Sequence, residues 1–362
     1  MEWSERPVIL LGHGCREADI SPLLFLGVPI LTSWQVKDMI PHDHPYYFGS
    51  PGIYGQRMAN KALWNADQIV SIGNRMSIWN VGYEGPRASQ KVLMVDIDPT
   101  EEKFGAELIK SDANDFIKQF DGQFVDRPEW LKQCRVWKQK HPLIEEGTHD
   151  DNEFINPHRF TQALEKYLRS DEVIVTDMGT PLICAHQVLR LKPPQRLMTS
   201  GGLGEMGVGL PAAIGASFAR NKGPVLCLHA DGGMMMNLQE LQTIIHHKLP
   251  ITIIVYRNDG YLMIQNTQRV GNMTPSGVDA KTGVSFPDYR KLAQSMGMAS
   301  ADLKTWKDFD RLMPYCFEAR EPVLIQYWME PGKPLYPKLD PVFVDGKPTS
   351  PEFHRMSPLE RE

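Results

Sequence analysis

Residues 228–261 read LHADGGMMMNLQELQTIIHHKLPITIIVYRNDGY, and their pattern decides the fold. A short apolar run ends at Asp231 and is followed at once by two glycines. A helical pattern comes next, and a second apolar run then ends at Asn258. Apolar runs on both sides of a helical pattern indicate a strand–helix–strand unit of a parallel sheet. The sequence therefore predicts that Asp231 and Asn258 stand at the ends of two such strands.

These strand ends carry groups that suit a metal ion and a phosphate. Ligands of open parallel sheets bind beyond the carboxyl ends of the strands, so we expect Asp231 and Asn258, 27 positions apart, to converge. Carboxylate and amide oxygens are hard ligands for Mg²⁺ or Ca²⁺. Gly232 and Gly233 let a phosphate approach the backbone where a helix begins. The hypothesis is a divalent metal that holds a diphosphate, and the alternative is a strand-end pair without a ligand.

The rest of the chain repeats this pattern in two α/β segments. We predict an α/β fold with two doubly wound parallel-sheet domains, at residues 1–125 and 156–332. A linker helix is expected within 126–155, and a proline-rich tail at 333–362 is expected to lie on the surface. The apolar runs that predict the strands are residues 7–14, 28–34, 66–75 and 91–99 in the first segment, and 171–179, 224–233, 250–259 and 322–330 in the second.

The composition excludes several classes of protein. The chain has 362 residues, 42% of them hydrophobic, and a net charge of -5. This length and hydrophobic fraction are sufficient for two domain cores. The sequence has no basic stripe that would bind nucleic acid. No apolar stretch reaches the ~18 residues of a membrane span, and the charged start MEWSERP is unlike a signal peptide. The five cysteines have no paired spacing, which predicts reduced thiols and a cytoplasmic location.

The stretch at residues 228–261 resembles the metal–diphosphate motif of thiamine diphosphate (ThDP) enzymes. That motif is written GDG, followed by a spacer and then NN. The letters MMNLQEL and HKLPITI between the anchors are most similar to the acetolactate synthase branch. The resemblance implies that Asp231 and Asn258 bind Mg²⁺ through side-chain oxygens and that Gly260 binds it through its backbone carbonyl. Tyr261 follows this turn, and we expect it either to border the cofactor or to pack in the core. One departure is Ala230, which stands where the motif has its first Gly.

A second stretch, TSGGLGEMGVGLPAAIGASFA at residues 199–219, is a glycine-rich loop that runs into an Ala/Gly helix. A loop of this kind is by itself only a tight turn. The whole string, however, is very similar to the acetolactate synthase loop that seats the aminopyrimidine ring of ThDP. The resemblance includes Gly202 and Gly204. It implies that the backbone carbonyl of Gly204 would hold the 4′-amino group of the cofactor. Met206 would be the wedge that keeps the cofactor bent, and a thioether suits contact with aromatic rings.

A third stretch, TDMGTPLICAHQ, follows another predicted strand. The resemblance places Gly179 and Thr180 near the diphosphate, together with Gly232 and Gly233. Relatives often carry Gln-His where this chain has Thr180 and Pro181. Thr can still donate one hydrogen bond, whereas Pro has no N–H to donate. At Thr180 and Pro181 the sequence therefore departs from the family pattern.

The first segment is similar to the middle domain of the same enzymes, so the resemblance covers almost the whole chain. Some relatives bind FAD in that domain and many bind nothing there. Gly12, His13 and Gly14 form half of a dinucleotide fingerprint, but Glu17 stands at the place of the third glycine. A NAD-type dehydrogenase built on this segment is therefore a weaker third hypothesis.

The resemblance does not extend to the pyrimidine-binding domain that comes first in these enzymes. That domain supplies the glutamate that activates the cofactor, and no residue of this sequence can be assigned that catalytic role. We expect either one component of a split enzyme, whose partner chain brings the pyrimidine-binding domain, or a non-catalytic, regulatory or truncated ThDP-binding chain. Relatives are dimers or tetramers, so a homo- or hetero-oligomer is expected.

The resemblance implies a ThDP- and Mg²⁺-dependent 2-oxo-acid decarboxylase or carboligase. The substrates would be a 2-oxo acid such as pyruvate and a carbonyl acceptor. No nucleic acid or membrane partner is expected.

Overall fold

The computed structural model describes residues 2–145, 148–150, 153–344 and 347–359. The chain divides into two compact units. Unit 1 is Met1–Glu145 with Tyr336–Glu362, and unit 2 is Glu146–Leu335. In the described residues, no helix is both long and apolar enough to cross a membrane.

Unit 1 contains a five-stranded sheet in the order β2-β1-β3-β4-β5, in which every neighbouring pair is parallel. Its strands are β1 (Pro7–Leu11), β2 (Ile30–Thr32), β3 (Gln68–Ile72), β4 (Lys91–Asp96) and β5 (Glu107–Lys110). Its helices are α1 (Ser21–Leu24), α2 (Arg57–Asn65), α3 (Ile78–Val81), α4 (Ala113–Ile117) and α5 (Pro128–Lys140).

The two faces of this sheet explain its apolar strands. Ile9 and Leu11 of β1 lie in one core cluster, and Val8 and Leu10 lie in the other. Because successive side chains of a strand point to opposite faces, a strand covered on both faces must be apolar throughout. Helix α5 covers one face, where the Trp130 indole N–H donates to the Pro7 carbonyl at 2.9 Å.

Unit 2 contains a six-stranded sheet in the order β10-β11-β9-β8-β6-β7, again parallel throughout. Its strands are β6 (Val173–Thr176), β7 (Arg196–Met198), β8 (Val225–Ala230), β9 (Ile251–Arg257), β10 (Ala299–Leu303) and β11 (Val323–Trp328). Its helices are α6 (Pro157–Ala163), α7 (Thr180–Val188), α8 (Gly209–Ala219), α9 (Asp231–Met234), α10 (Glu240–His247), α11 (Leu262–Val270), α12 (Tyr289–Ser295) and α13 (Trp306–Glu318).

These two sheets confirm the predicted α/β class with two doubly wound parallel-sheet domains. Residues 228–261 contain the end of β8, the helices α9 and α10, and the whole of β9, and β8 pairs directly with β9. On its other side, β8 pairs with β6. The carboxyl ends of β6, β8 and β9 therefore meet at one edge of the sheet, and the turns that leave these ends hold the candidate site.

The C-terminal tail belongs to unit 1. It contains an antiparallel pair, β12 (Val342–Val344) and β13 (Lys347–Thr349). Phe353 and Met356 of the tail are buried in a core of unit 1. The guanidinium of Arg57 donates to the carbonyls of Met356 and Pro358, at 2.8 and 2.7 Å. The tail is thus held by a buried cation as well as by apolar packing.

Candidate functional site

The ends of β8 and β9 meet through the carboxylate of Asp231. Its Oδ2 accepts hydrogen bonds from the backbone N–H groups of Asn258 and Asp259, at 2.9 and 2.8 Å. Its Oδ1 accepts from the N–H of Gly232 at 2.8 Å. One side chain therefore ties the turn after β8 to the turn after β9. The two residues singled out from the sequence lie together, and the carboxylate of Asp231 contacts Asn258 through the backbone N–H of Asn258.

Asp231 is buried, with 1% of its surface exposed, and burial raises the pKa of its carboxyl to about 6. The three backbone donors act in the opposite direction and lower this pKa, whereas the neighbouring Asp259 raises it. A buried carboxylate without a cation is costly. A divalent cation at this strand end would stabilise the charged form, so the electrostatics of Asp231 suit a metal ligand.

The donor set restricts the kind of metal site. In the described residues there is no group of three or more His, Cys, Asp or Glu side chains that could hold an ion. A metal here would instead use one carboxylate, the amide oxygen of Asn258, the carbonyl of Gly260 and oxygens from a ligand. Mg²⁺ is commonly bound in this way, through one or two carboxylates, phosphates and water.

A cleft opens above these strand ends and lies entirely within unit 2. Every cofactor residue predicted from the sequence lines it, except Gly202 and Gly204. The wall also includes apolar side chains that follow the turn after β9. The lining residues are Met178, Gly179, Thr180, Met206, Ala230, Asp231, Gly232, Gly233, Asn258, Gly260, Tyr261, Leu262, Met263 and Ile264.

The glycines on the floor of the cleft are required by packing. A Cβ on Gly232 would lie 2.3 Å from Cε1 of Tyr261, and a Cβ on Gly233 would lie 1.7 Å from Oδ2 of Asp177. Gly179 has φ +106, a conformation that side-chain-bearing residues rarely adopt. The floor of the cleft therefore consists of backbone atoms. A site that binds phosphate through backbone N–H donors requires such a floor.

The glycine-rich loop is held through both backbone groups of one residue. The N–H of Gly207 donates to Oδ1 of Asp177 at 2.8 Å, and the Gly207 carbonyl accepts from the Asn237 amide at 2.9 Å. Met206, the residue just before this glycine, reaches the cleft. Gly202 is exposed, and a Cβ on Gly204 would lie 2.7 Å from Cε of Met178. The loop thus carries Met206 into the cleft, while Gly202 and Gly204 lie outside its wall.

Two residues that support the turns after β8 and β9 were not singled out from the sequence. The hydroxyl of Tyr289, at the start of α12, donates to the Asp231 carbonyl at 2.6 Å. The Nε of Arg257, the last residue of β9, donates to Oδ1 of Asp259 at 2.8 Å. Asp259 has φ 58, a left-handed conformation that is uncommon without glycine. The letters Arg-Asn-Asp-Gly indicate a turn, but they do not show that the arginine donates a hydrogen bond to the aspartate within it.

The turn after β1 in unit 1 is built differently. The N–H of Gly14 donates to the Gly73 carbonyl at 3.0 Å, and a Cβ on Gly12 would lie 2.1 Å from the same oxygen. A close backbone contact therefore accounts for both glycines of the half fingerprint.

Comparison with protein families gives two matches, which together take up most of the chain. Residues 1–120 match the central domain of thiamine pyrophosphate enzymes. Residues 177–327 match the C-terminal thiamine pyrophosphate-binding domain of the same enzymes. Thiamine pyrophosphate is another name for ThDP. The second match contains the three turns that leave β6, β8 and β9, together with the glycine-rich loop.

Similar curated proteins carry acetolactate synthase names. A probable acetolactate synthase large subunit from Methanocaldococcus jannaschii is 30% identical over 98% of this chain and 64% of its own length. A probable acetolactate synthase large subunit from Methanococcus aeolicus is 28% identical over 92% of this chain and 59% of its own length. An acetolactate synthase large subunit from Buchnera aphidicola is 29% identical over 88% of this chain and 58% of its own length. The chain thus spans about three fifths of the length of these relatives.

Proposed function

The chain belongs to the thiamine pyrophosphate enzyme family, and from this premise we propose that it is the metal- and diphosphate-binding part of an acetolactate synthase-like 2-oxo-acid enzyme. The reaction is the decarboxylation of a 2-oxo acid such as pyruvate, with transfer of the remaining unit to a carbonyl acceptor. The observation that carries the proposal is the buried carboxylate of Asp231, which joins two strand ends beneath a cleft floored by glycines.

The metal part of the proposal concerns Asp231, Asn258 and Gly260. Asp231 and Asn258 would supply side-chain oxygens and Gly260 its carbonyl to Mg²⁺. Both side chains are almost completely buried, at 1% and 5% exposure, which favours a cation over bulk water as their partner. The ion would in turn hold the diphosphate of ThDP against the backbone of Gly232 and Gly233, at the positive end of a short helix.

The cofactor part of the proposal concerns the opposite wall. Gly179 and Thr180 would contact the diphosphate, Met206 would support the bend between the two rings, and Gly204 would hold the aminopyrimidine. Tyr261 would border the cofactor beside Gly232. Bound ThDP supplies the electron sink for loss of carbon dioxide, and the protein supplies position and electrostatics.

A partner chain is the next part of the proposal. Among the described residues that line the cleft, the titratable side chains are Asp231 and Tyr261. Asp231 is assigned to the proposed metal site, and Tyr261 has no carboxylate. Neither residue therefore provides the carboxylate that would activate the aminopyrimidine. We propose that a pyrimidine-binding domain on a separate subunit supplies this glutamate and completes the site in an oligomer. The five cysteines are free and buried, which suits a reducing compartment, and we propose the cytoplasm.

The first experiment measures binding of ThDP to the purified chain by calorimetry, with Mg²⁺ and with EDTA. The proposal predicts binding that is lost when the metal is removed, and no comparable binding of NAD or FAD. Binding of NAD without ThDP binding would support the dehydrogenase hypothesis and contradict the proposal.

The second experiment measures carbon dioxide release from pyruvate with ThDP and Mg²⁺. We expect release only after addition of a polypeptide that carries a pyrimidine-binding domain. Rapid release by this chain alone would contradict the partner requirement. Metal-dependent ThDP binding that never leads to turnover with any partner would favour the alternative, a non-catalytic or regulatory ThDP-binding chain.

A further inference from the structure

A buried polar pair lies below the wall of the cleft. Asp177 follows β6, and His229 is the penultimate residue of β8. Both side chains are completely buried, and Nδ1 of His229 lies 3.4 Å from Oδ2 of Asp177. The same Nδ1 lies 3.1 Å from the Ala230 carbonyl oxygen. Because both neighbours are acceptors, the histidine is best satisfied with its proton on Nδ1.

The other oxygen of Asp177 faces the glycine-rich loop. Oδ1 accepts from the N–H of Gly207 at 2.8 Å and from the N–H of Gly209 at 3.2 Å. Gly209 is the first residue of α8, so the carboxylate also lies at the positive end of an eleven-residue helix. One side chain thus connects the end of β6, the loop that carries Met206 and the strand that leads to Asp231.

The surroundings of the pair have little tolerance for change. A Cβ on Gly233 would lie 1.7 Å from Oδ2 of Asp177, and a Cβ on Gly209 would lie 2.7 Å from Cδ2 of His229. Within the described residues, Oδ2 of Asp177 and Nε2 of His229 make no hydrogen bond. A core that needed only stability would hold apolar side chains here, because incompletely satisfied buried polar groups are costly.

We propose that Asp177 is a positioning residue that holds the glycine-rich loop, and with it Met206 and Gly204, in the place where the ring half of ThDP binds. His229 fills the space behind the carboxylate and keeps its Oδ1 directed at the loop. This inference rests on the proposed function. Asp177 acts through the loop and does not itself touch the cofactor or the metal.

The test separates the two halves of the cofactor by calorimetry with Mg²⁺. ThDP probes both halves, whereas inorganic pyrophosphate probes the metal and diphosphate half alone. Asp177→Ala removes two hydrogen bonds to a charged acceptor, so we expect ThDP affinity to fall about tenfold or more. Pyrophosphate affinity should change by less than about threefold. Asp177→Asn keeps one oxygen for the loop and should stay within about threefold of the original chain for both ligands.

The matched control is Asp112→Ala in unit 1. Asp112 also accepts a backbone N–H, that of Asn114 at 2.8 Å, at the start of a helix. Its loss should change neither affinity. Unchanged ThDP affinity in Asp177→Ala, or equal weakening for ThDP and pyrophosphate, would overturn the inference. Failure of the unsubstituted chain to bind ThDP with Mg²⁺ would instead overturn the proposed function.

Hydrogen exchange of the chain without cofactor gives a second measurement that does not depend on binding. The amides of Gly207 and Gly209 should exchange slowly in the original chain and in Asp177→Asn. If Asp177→Ala remains folded, the same amides should exchange at least about tenfold faster. Fast exchange at both amides in the original chain would overturn the inference, even if the alanine variant failed to fold.

Discussion

The two units share one architecture and differ at the edge where their parallel strands end. In unit 1, the turn after β1 is closed by backbone, since a Cβ on Gly12 would lie 2.1 Å from the Gly73 carbonyl oxygen. In unit 2, the turns after β6, β8 and β9 border a cleft, and a Cβ on Gly179, which lines this cleft, would lie 3.5 Å from the Cβ of Ala230, an ordinary contact distance. Glycines bring two turns into contact in the first sheet, and they floor a cleft in the second.

The acidic residues at the strand ends show the same contrast. Asp96 ends β4 in unit 1, is half-buried, and accepts a hydrogen bond from the N–H of Asp98 in its own turn, at 3.0 Å. Asp231 follows β8 in unit 2, is 1% exposed, and also accepts from the turn of the next strand. A strand-end Asp is therefore by itself a weak sign of a site. The stronger sign is a carboxylate that joins two strand ends beside open space.

The largest expected effect breaks this contrast directly. Asp231→Ala should weaken Mg²⁺-dependent ThDP binding by about a thousandfold or more, because the only carboxylate of the proposed metal site is lost. Asp96→Ala removes the same group from the corresponding edge of unit 1 and should leave the affinity unchanged. Calorimetry measures both. Equal affinities in the two variants would contradict the assignment of the metal site to unit 2.

The next prediction concerns stability. Gly12→Ala forces a methyl group into the Gly73 backbone and should lower the free energy of unfolding of unit 1 by about 3 kcal/mol. Gly202→Ala adds its methyl group in open space and should change the free energy of unfolding by less than about 0.5 kcal/mol. Denaturant unfolding of the two variants checks both values. A neutral Gly12→Ala would mean that the turn in unit 1 can open.

A smaller effect is expected from Arg257, which supports the turn after β9. Arg257→Leu removes the hydrogen bond that holds Asp259 at its left-handed φ, so Mg²⁺ affinity at saturating ThDP should fall roughly tenfold. Arg220→Leu is the control, because Arg220 donates to the Pro224 carbonyl, just before β8 begins. A metal titration distinguishes them. Similar losses in both variants would indicate general destabilisation of unit 2.

The smallest effect concerns the second support of the glycine-rich loop. Asn237→Ala removes one neutral hydrogen bond to the Gly207 carbonyl, and ThDP affinity should fall about threefold. Asn65→Ala removes the same kind of bond in unit 1, from a side-chain amide to the Lys61 carbonyl, and should have no effect. Calorimetry again provides the measurement. A loss in the Asn65 variant as large as that in the Asn237 variant would contradict a specific role for the loop.

The central strands could be predicted from the sequence because they are buried on both faces. The apolar runs at β8 and β9 mark their own positions, since almost every side chain in them is buried. The short strands β5, β7 and β10 were not predicted. They lie at the edges of their sheets and are only partly buried, so residues such as Glu107 and Arg196 interrupt any apolar run.

The candidate site was predictable where it depends on strand ends and was not where it depends on side-chain contacts. The spacing of Asp231 and Asn258 is enough to place both at one edge. Asp177 and His229 lie within or beside apolar runs, where a polar residue gives no sign of its partner. Their contacts arise from the pairing of β6 with β8, which is set by the whole sheet.

The central claim is that Asp231, Asn258 and Gly260 hold a divalent metal that binds the diphosphate of ThDP. Diffraction from crystals of the chain grown with ThDP and Mn²⁺ tests it most directly, because the anomalous signal of manganese locates the ion. We predict one peak at about 2.0–2.3 Å from oxygens of all three residues and of the diphosphate. A peak elsewhere, or ThDP bound at the cleft with no ion at these strand ends, would contradict the claim.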